Sequence, residues 1–350
     1  MKAAILTEYL KFEVKELSVP EIKPNEVLIR IEYASICGSD MHVFHGDFRE
    51  RTPIPFIPGH EMAGIVEMTG REVKNYKSGD RAAIDPLIWC GKCPACLNEH
   101  YPVCTSLKLL GIDVDGGFTQ YMAVPEWMLY KVPSNIPAKH AALVEIYSIG
   151  FHANNRAGTK PGDVLAIWGA GRVGQVVLQA ARTKTKEKIF IVDILDSRLE
   201  IALKANKNVI AINAVRENPV EAIKRYTNGN GVDIAFEAIG DWQPVEGVVN
   251  PVRGCVQSIM GGGIVCTLGL TDEPSPIVFK ELIWKEGKII TSRVSHGEFA
   301  ESISHLDQGD LKPNALITKI MPIEKIQEAF ELVENDPGRY LKILIDMGQH

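Results

Sequence analysis

Four of the chain's seven cysteines, Cys90, Cys93, Cys96 and Cys104, fall within fifteen residues at the spacing C-x2-C-x2-C-x7-C. Four thiolates that close suit a tetrahedral Zn²⁺ site, with sulfurs at about 2.3 Å from the metal. A closed four-sulfur shell leaves no position for a reactant, so such a zinc is structural. Paired disulfides are the other use of such a cluster. Cysteine is sparse elsewhere and the first residues show no cleavable apolar core, so a reduced chain and a metal are expected. Two shorter motifs also carry groups able to bind metal or move a proton. They are Cys37-Gly38-Ser39-Asp40-Met41-His42 and Gly59-His60-Glu61-Met62-Ala63-Gly64. Taken singly, Cys37 reads as a small buried hydrophobe, and His60 as a satisfied core or surface residue.

A fourth motif, Gly169-Ala170-Gly171-Arg172-Val173-Gly174, has the pattern G-x-G-x-x-G. It follows an apolar run, opens a helical pattern and precedes Asp193 at the end of the next strand pattern, nineteen residues past Gly174. Glycines there let the backbone approach a pyrophosphate, which also sits on the positive end of the helix dipole. Asp193 can accept hydrogen bonds from ribose hydroxyls, and its charge would repel a 2′-phosphate. Ile194 and Leu195 supply no compensating cation, so NAD(H) is favoured over NADP(H). Arg198 could help tolerate a phosphate.

These motifs need elements to hold them. The 350 residues suffice for about two domains with substantial cores. A hydrophobic content of 45% with 23% charged residues is ordinary for a globular protein. Net charge is −6 with scattered Lys and Arg, which gives a nucleic-acid partner little electrostatic support. No apolar run approaches the roughly 18 residues that span a bilayer. A cytoplasmic protein is expected, and nothing reads as repeat or low-complexity sequence. Residues 2 to 131 read as short strands between Pro, Gly and Asp, among them 3–7, 26–34, 63–68, 81–84 and 118–124, and predict a mainly β domain. After a helix-friendly stretch from residue 137, strands at 164–168, 188–192, 209–212, 232–237 and 264–268 alternate with helices, including 173–183 and 196–205. That alternation predicts βαβ units and a parallel sheet. Gly261, Gly262 and Gly263 read as a tight turn before a strand. Cys255 and Cys266 lack ligand spacing and read as structural. A final strand is expected at 341–345.

Gly59-His60-Glu61, followed by Gly64, Gly70 and Val73, resembles the signature of the zinc-containing medium-chain alcohol dehydrogenases. The Cys37-Gly38-Ser39-Asp40 motif and the four-cysteine lobe are similar to the same family in the same order. With the glycine turn, the resemblance covers essentially the whole chain. It implies a Rossmann-type doubly wound α/β domain at 151–289. It also implies a discontinuous, mainly β GroES-like catalytic domain at 1–150 and 290–350, carrying the structural zinc lobe at 90–104. The active site would lie in the cleft between them.

The resemblance further implies two zincs per chain. Cys37 and His60 match ligand positions of a catalytic zinc, which needs about three protein ligands and one open position. The simple-alcohol members use a second cysteine near the start of the linking helix. This chain has Leu143-Val144-Glu145-Ile146-Tyr147 there, and the polyol branch carries a glutamate. Glu145 and Glu61 are therefore rival third ligands, and Glu145 could otherwise be a carboxylate favourably placed near a helix N-terminus. Ser39 matches the residue that accepts the substrate's hydroxyl proton, and His42 matches the relay histidine, although it also reads as an ordinary solvated one. Arg198 matches a ribose-contacting position. Leu268-Gly269-Leu270 resembles the nicotinamide-contacting loop, as Ser292-Arg293-Val294-Ser295 does in polyol and sugar-acid members. Arg293 reads either as a surface ion pair or as a contact to cofactor or substrate.

The expected reaction is hydride transfer between NAD(H) and a secondary hydroxyl or ketone of a polyol or sugar acid. L-threonine 3-dehydrogenase and butanediol dehydrogenase activities remain alternatives. A hypothesis from another class is an inactive, zinc-stabilised binding protein. A zinc-ribbon nucleic-acid binder is opposed by the acidic charge and the complete dinucleotide motif. The family commonly forms dimers or tetramers, so a homo-oligomer is expected.

Overall fold

The computed structural model describes residues 1–348. The chain divides into two compact units, one of Met1–Ile146, Phe299–Gly309 and residues from 317 onward, the other of Tyr147–Glu298 and Asp310–Leu316. In the first unit a seven-stranded sheet runs in the order Ile317–Pro322, Lys342–Asp346, Glu26–Ser35, Glu61–Thr69, Arg81–Ile84 and Leu129–Val132, with Tyr121–Pro125 also paired to Glu26–Ser35. Its pairings are antiparallel except that between Ile317–Pro322 and Lys342–Asp346. The pair Ser35↔Glu61 brings the segment before Cys37 beside the one after His60. Register fixes that meeting. Glycine at position 64 is required by the same pairing, since a Cβ there would lie 2.1 Å from the Arg30 carbonyl oxygen. The four-cysteine segment forms a small lobe with its own hairpin, Leu87–Ile88 against Lys108–Leu109.

The second unit holds a six-stranded parallel sheet in the order Val209–Asn213, Ile189–Asp193, Leu165–Trp168, Val232–Glu237, Ile259–Thr267 and Lys288–Thr291. The order reverses beside Leu165–Trp168, the strand that leads into the glycine turn, and such a switch point opens a crevice at the strands' carboxyl ends. Leu165, Ala166, Ile167 and Trp168 are all buried, as a central parallel strand covered on both faces must be.

Three expectations shift. Residues 118–120 precede the strand Tyr121–Pro125 instead of belonging to it. The three glycines at 261–263 do not form a turn before a strand; they lie inside Ile259–Thr267. There the register slips between Val232 and Ile234, and Gly262 has φ of 77°, so they make an irregularity within the sheet. The strand Lys288–Thr291 extends the parallel sheet past residue 289, because its backbone pairs with Ile264 to Thr267. Among the described residues no helix is long and apolar enough to cross a membrane.

Gly64→Ala is expected to destabilise the first unit by about 1–3 kcal/mol through this backbone clash. An unchanged urea midpoint would show that the strand yields without cost.

Candidate functional site

Cys37 is the N-cap of the helix Gly38–His45. Its backbone amide donates to Asp40 Oδ2 at 2.8 Å, so Asp40 closes a capping box around the turn that carries Cys37 and Ser39. The other oxygen, Oδ1, lies 3.2 Å from His60 Nδ1. A fully buried carboxylate thus ties the two motifs together and aims His60 Nε2 away from itself. Ser39 Oγ lies 3.3 Å from that Nε2. Asp40 was legible only as part of a motif; its role needs the fold that brings residue 60 alongside.

One ligand atom each from Cys37, His60 and Glu61 lie within 4.8 Å of one another, and the group could hold a metal ion. Glu61 is fully buried and ion-paired with Lys342, itself 1% exposed, through Oε1. Its Oε2 is buried without a hydrogen-bond partner among the described residues. An orphaned carboxylate oxygen beside a thiol and an imidazole is a donor set that suits zinc. Glu145 stands outside this group, in the first turn of the helix Val144–Ala157. Burial pushes its carboxyl up to about 8, against the charge of His60, with Glu61, Lys342 and Asp85 also acting on it. Glu61, one of the two rivals, is therefore the carboxylate that meets Cys37 and His60, and Glu145 is a second acid close by. His42, one turn beyond Ser39, does not join the group; its Nδ1 bonds Asp47 at 2.8 Å.

The lobe's four cysteine sulfurs also converge within 4.8 Å. Cys96 Sγ is 3.5 Å from Cys93 Sγ and 3.9 Å from Cys90 Sγ. Four sulfurs about 2.3 Å from a tetrahedral centre would be about 3.8 Å apart. Backbone amides of Cys96 and Thr105 pull the Cys93 thiol down to about 5, favouring a metal-binding thiolate. Cys255 and Cys266 are buried, and burial raises both thiols, as structural cysteines should behave.

In the second unit Gly171 is the N-cap of the helix Arg172–Lys184, which begins with Arg172 and Val173. Packing accounts for two of the glycines. A Cβ on Gly174 would lie 1.8 Å from the Gly169 carbonyl oxygen, and Gly169 has φ of 100°. At Gly171 the nearest atom to a Cβ would be Arg198 Nη1 at 3.9 Å, so nothing inside the protein demands glycine there. That open cradle fits a pyrophosphate approaching from outside. Asp193 accepts from the Ala170 amide at 2.7 Å and the Leu195 amide at 2.9 Å, with Arg198 Nη1 3.7 Å away. It holds the turn in shape, and its oxygens keep lone pairs for further donors.

Glu237, not singled out from sequence, ends its strand with Oε1 accepting from Ile239 and Gly240 and Oε2 from Gly269. The segment with Leu268, Gly269 and the exposed Leu270 is shaped by that one side chain. Ser292 donates its amide to the Thr267 carbonyl, and its buried hydroxyl has no partner among the described residues. Arg293 is exposed beside it.

For His60, burial lowers the pKa, yet the negative charges of Asp40 and Cys37 raise it well above its ordinary value. A proton on Nε2 then competes with a metal for the same lone pair. Zinc affinity at Cys37, His60 and Glu61 is expected to fall steadily as pH drops from 8 to 6. Chelator competition that showed a pH-independent affinity would refute the competition.

The description "Alcohol dehydrogenase GroES-like domain" fits residues 23–134, and "Zinc-binding dehydrogenase" fits residues 173–308. A sorbitol dehydrogenase of Bacillus subtilis is 31% identical, with 99% of this chain and 97% of that protein covered. An L-threonine 3-dehydrogenase of Bacillus velezensis is 32% identical, over 95% of this chain and 94% of its own length. The crystal structure of an Escherichia coli alcohol dehydrogenase (rspB) complexed with NADH superposes with a TM-score of 0.87 at 26% identity, covering 99% of both chains. Two converging ligand groups, a glycine turn at a sheet's switch point and this likeness along the full length lead to one assignment: the chain belongs to the zinc-type medium-chain alcohol dehydrogenase family of oxidoreductases.

Proposed function

We propose that the chain oxidises a secondary hydroxyl of a polyol or sugar acid, with NAD as hydride acceptor. The observation that carries this reading is the group of Cys37, His60 and Glu61, with the buried Glu145 standing where a second cysteine would mark the simple-alcohol branch. Cys37, His60 and Glu61 would hold the catalytic zinc, with Glu145 nearby, and Cys90, Cys93, Cys96 and Cys104 the structural one. Bound zinc supplies Lewis acidity that lowers the pKa of a hydroxyl. NAD, when bound, would supply the hydride acceptor.

The chain's own residues do the rest. Asp40 holds the His60 ring so that Nε2 faces the ligand group. Lys342 neutralises part of the negative charge that a thiol and carboxylates bring to a dry pocket. Ser39 Oγ takes the hydroxyl proton, and His42, half-exposed one turn along the same helix, passes it to solvent. Gly169, Gly171 and Gly174 with Arg172 and Val173 would take the pyrophosphate. Asp193 and Arg198 would take the ribose, and Leu268, Gly269, Leu270, Ser292 and Arg293 would line the nicotinamide.

The relatives include a sorbitol and a threonine dehydrogenase, so threonine is the second reading, with a diol behind it. A merely zinc-stapled protein does not need a second ligand group with an orphaned carboxylate oxygen. We also infer a homo-oligomer, supported by the edge strand Lys288–Thr291 and the exposed Phe279, Ile283 and Trp284 before it.

The test is NAD reduction with sorbitol, L-idonate, L-threonine and 2,3-butanediol. Sorbitol or idonate is expected to lead; threonine in front would move the assignment to the amino-acid branch, and no reduction of NAD by any would remove it. Ser39→Ala is expected to lower kcat by about 10²- to 10⁴-fold with zinc content unchanged. Full turnover in that variant would end the role given to Ser39.

A further inference from the structure

The helix that carries Cys37 and Ser39 ends in a way that does more than stop it. Its C-cap is Gly46, with φ of 82°, whose amide bonds back into the last turn. The Asp47 amide follows, donating to the His42 carbonyl at 2.9 Å. This left-handed stop folds residue 47 back over residue 42. The Asp47 carboxylate thereby reaches His42 Nδ1 at 2.8 Å.

The segment after the cap is pinned from several sides. Arg49 Nε donates to the Gly46 carbonyl at 3.2 Å. Arg51 makes a two-pronged pair with Asp113 at 2.9 and 2.7 Å. Its guanidinium also sits 5.8 Å from the Phe48 ring, which in turn lies 5.4 Å from the His42 ring. Thr52 Oγ1 donates to the Ile112 carbonyl at 3.2 Å. The Asp47 carboxylate is thus delivered by a fixed backbone, although it is 54% exposed.

We propose that Asp47 is a positioning residue for proton removal, a proposal that rests on the relay role given to His42. An anionic acceptor at Nδ1 selects the tautomer that carries its proton there. The lone pair is then left on Nε2, which makes no hydrogen bond to the described residues. Nε2 accepts the proton that Ser39 passes on, and the imidazolium then releases a proton to water from the half-exposed ring. Asp47 itself neither gains nor loses a proton in the step. The Phe48 ring packs beside the imidazole, so the histidine cannot swing freely away from its partner.

The experiment is a double-mutant cycle with His42→Gln, Asp47→Ala and the pair, using NAD and the fastest-oxidised alcohol of the panel above. Asp47→Ala is expected to lower kcat about 5- to 10-fold, to leave KM for NAD within about twofold, and to enlarge the solvent deuterium isotope effect. In the His42→Gln background the same change is expected to cost nothing further. Asp47→Glu should recover part of the loss. A His42→Gln variant as fast as the parent would remove the relay reading itself. A slow His42→Gln beside an unaffected Asp47→Ala would overturn the role of Asp47 alone. An equal loss from Asp47→Ala in both backgrounds would reduce Asp47 to a helix stop and also overturn it.

Discussion

Negative charge in a dry place is the constraint on which the first unit depends. Glu61, Asp40 and Glu145 are all buried around one histidine and one cysteine. Burying a carboxylate is costly unless hydrogen bonds or an opposite charge answer it, and each acid here is answered differently. Asp40 is answered by the Cys37 amide and the His60 ring. Glu61 has Lys342 on one oxygen only. For Glu145 burial dominates, and its carboxyl is pushed up to about 8. A dication among Cys37, His60 and Glu61 would answer the one carboxylate oxygen here that is left without a hydrogen bond among the described residues, Glu61 Oε2.

The second unit solves a different problem with the same economy of means. Its acids do not collect around one point; they brace loops. Asp193 ties the glycine turn to the neighbouring strand end, and Glu237 ties together the segments that follow two neighbouring strands. Both sit at carboxyl ends of parallel strands beside the point where strand order reverses. Shape is thus fixed by buried side chains, while the space at Gly171 stays open.

The local motifs were legible because their chemistry is written in spacing. Four cysteines in fifteen residues and glycines at fixed intervals need no tertiary knowledge. The parallel strands were legible for the same reason, as apolar runs at regular intervals with helices between. What escaped is what depends on distant pairing. Lys342 is 281 residues from Glu61, and nothing near it in sequence marks it as a partner for a buried acid. Glu237 lay within an expected strand, but its bonds to Gly269 exist only once two strands are neighbours. The glycines at 261–263 misled because their turn propensity is genuine, and a register slip inside a sheet uses the same freedom. Which acid lies within reach of Cys37 and His60 also needed coordinates, since both are suitable acids near suitable motifs.

The placement of Lys342 sets an order of events as the polypeptide is made. Its strand lies inside the sheet, between Ile317–Pro322 and Glu26–Ser35, instead of at an edge. A growing chain exposes Cys37, His60 and Glu61 long before it contains the lysine that offsets them. Glu61 gains its cationic partner only where that strand is in place. The surroundings of Glu61 are therefore complete only in a chain that includes the strand Lys342–Asp346.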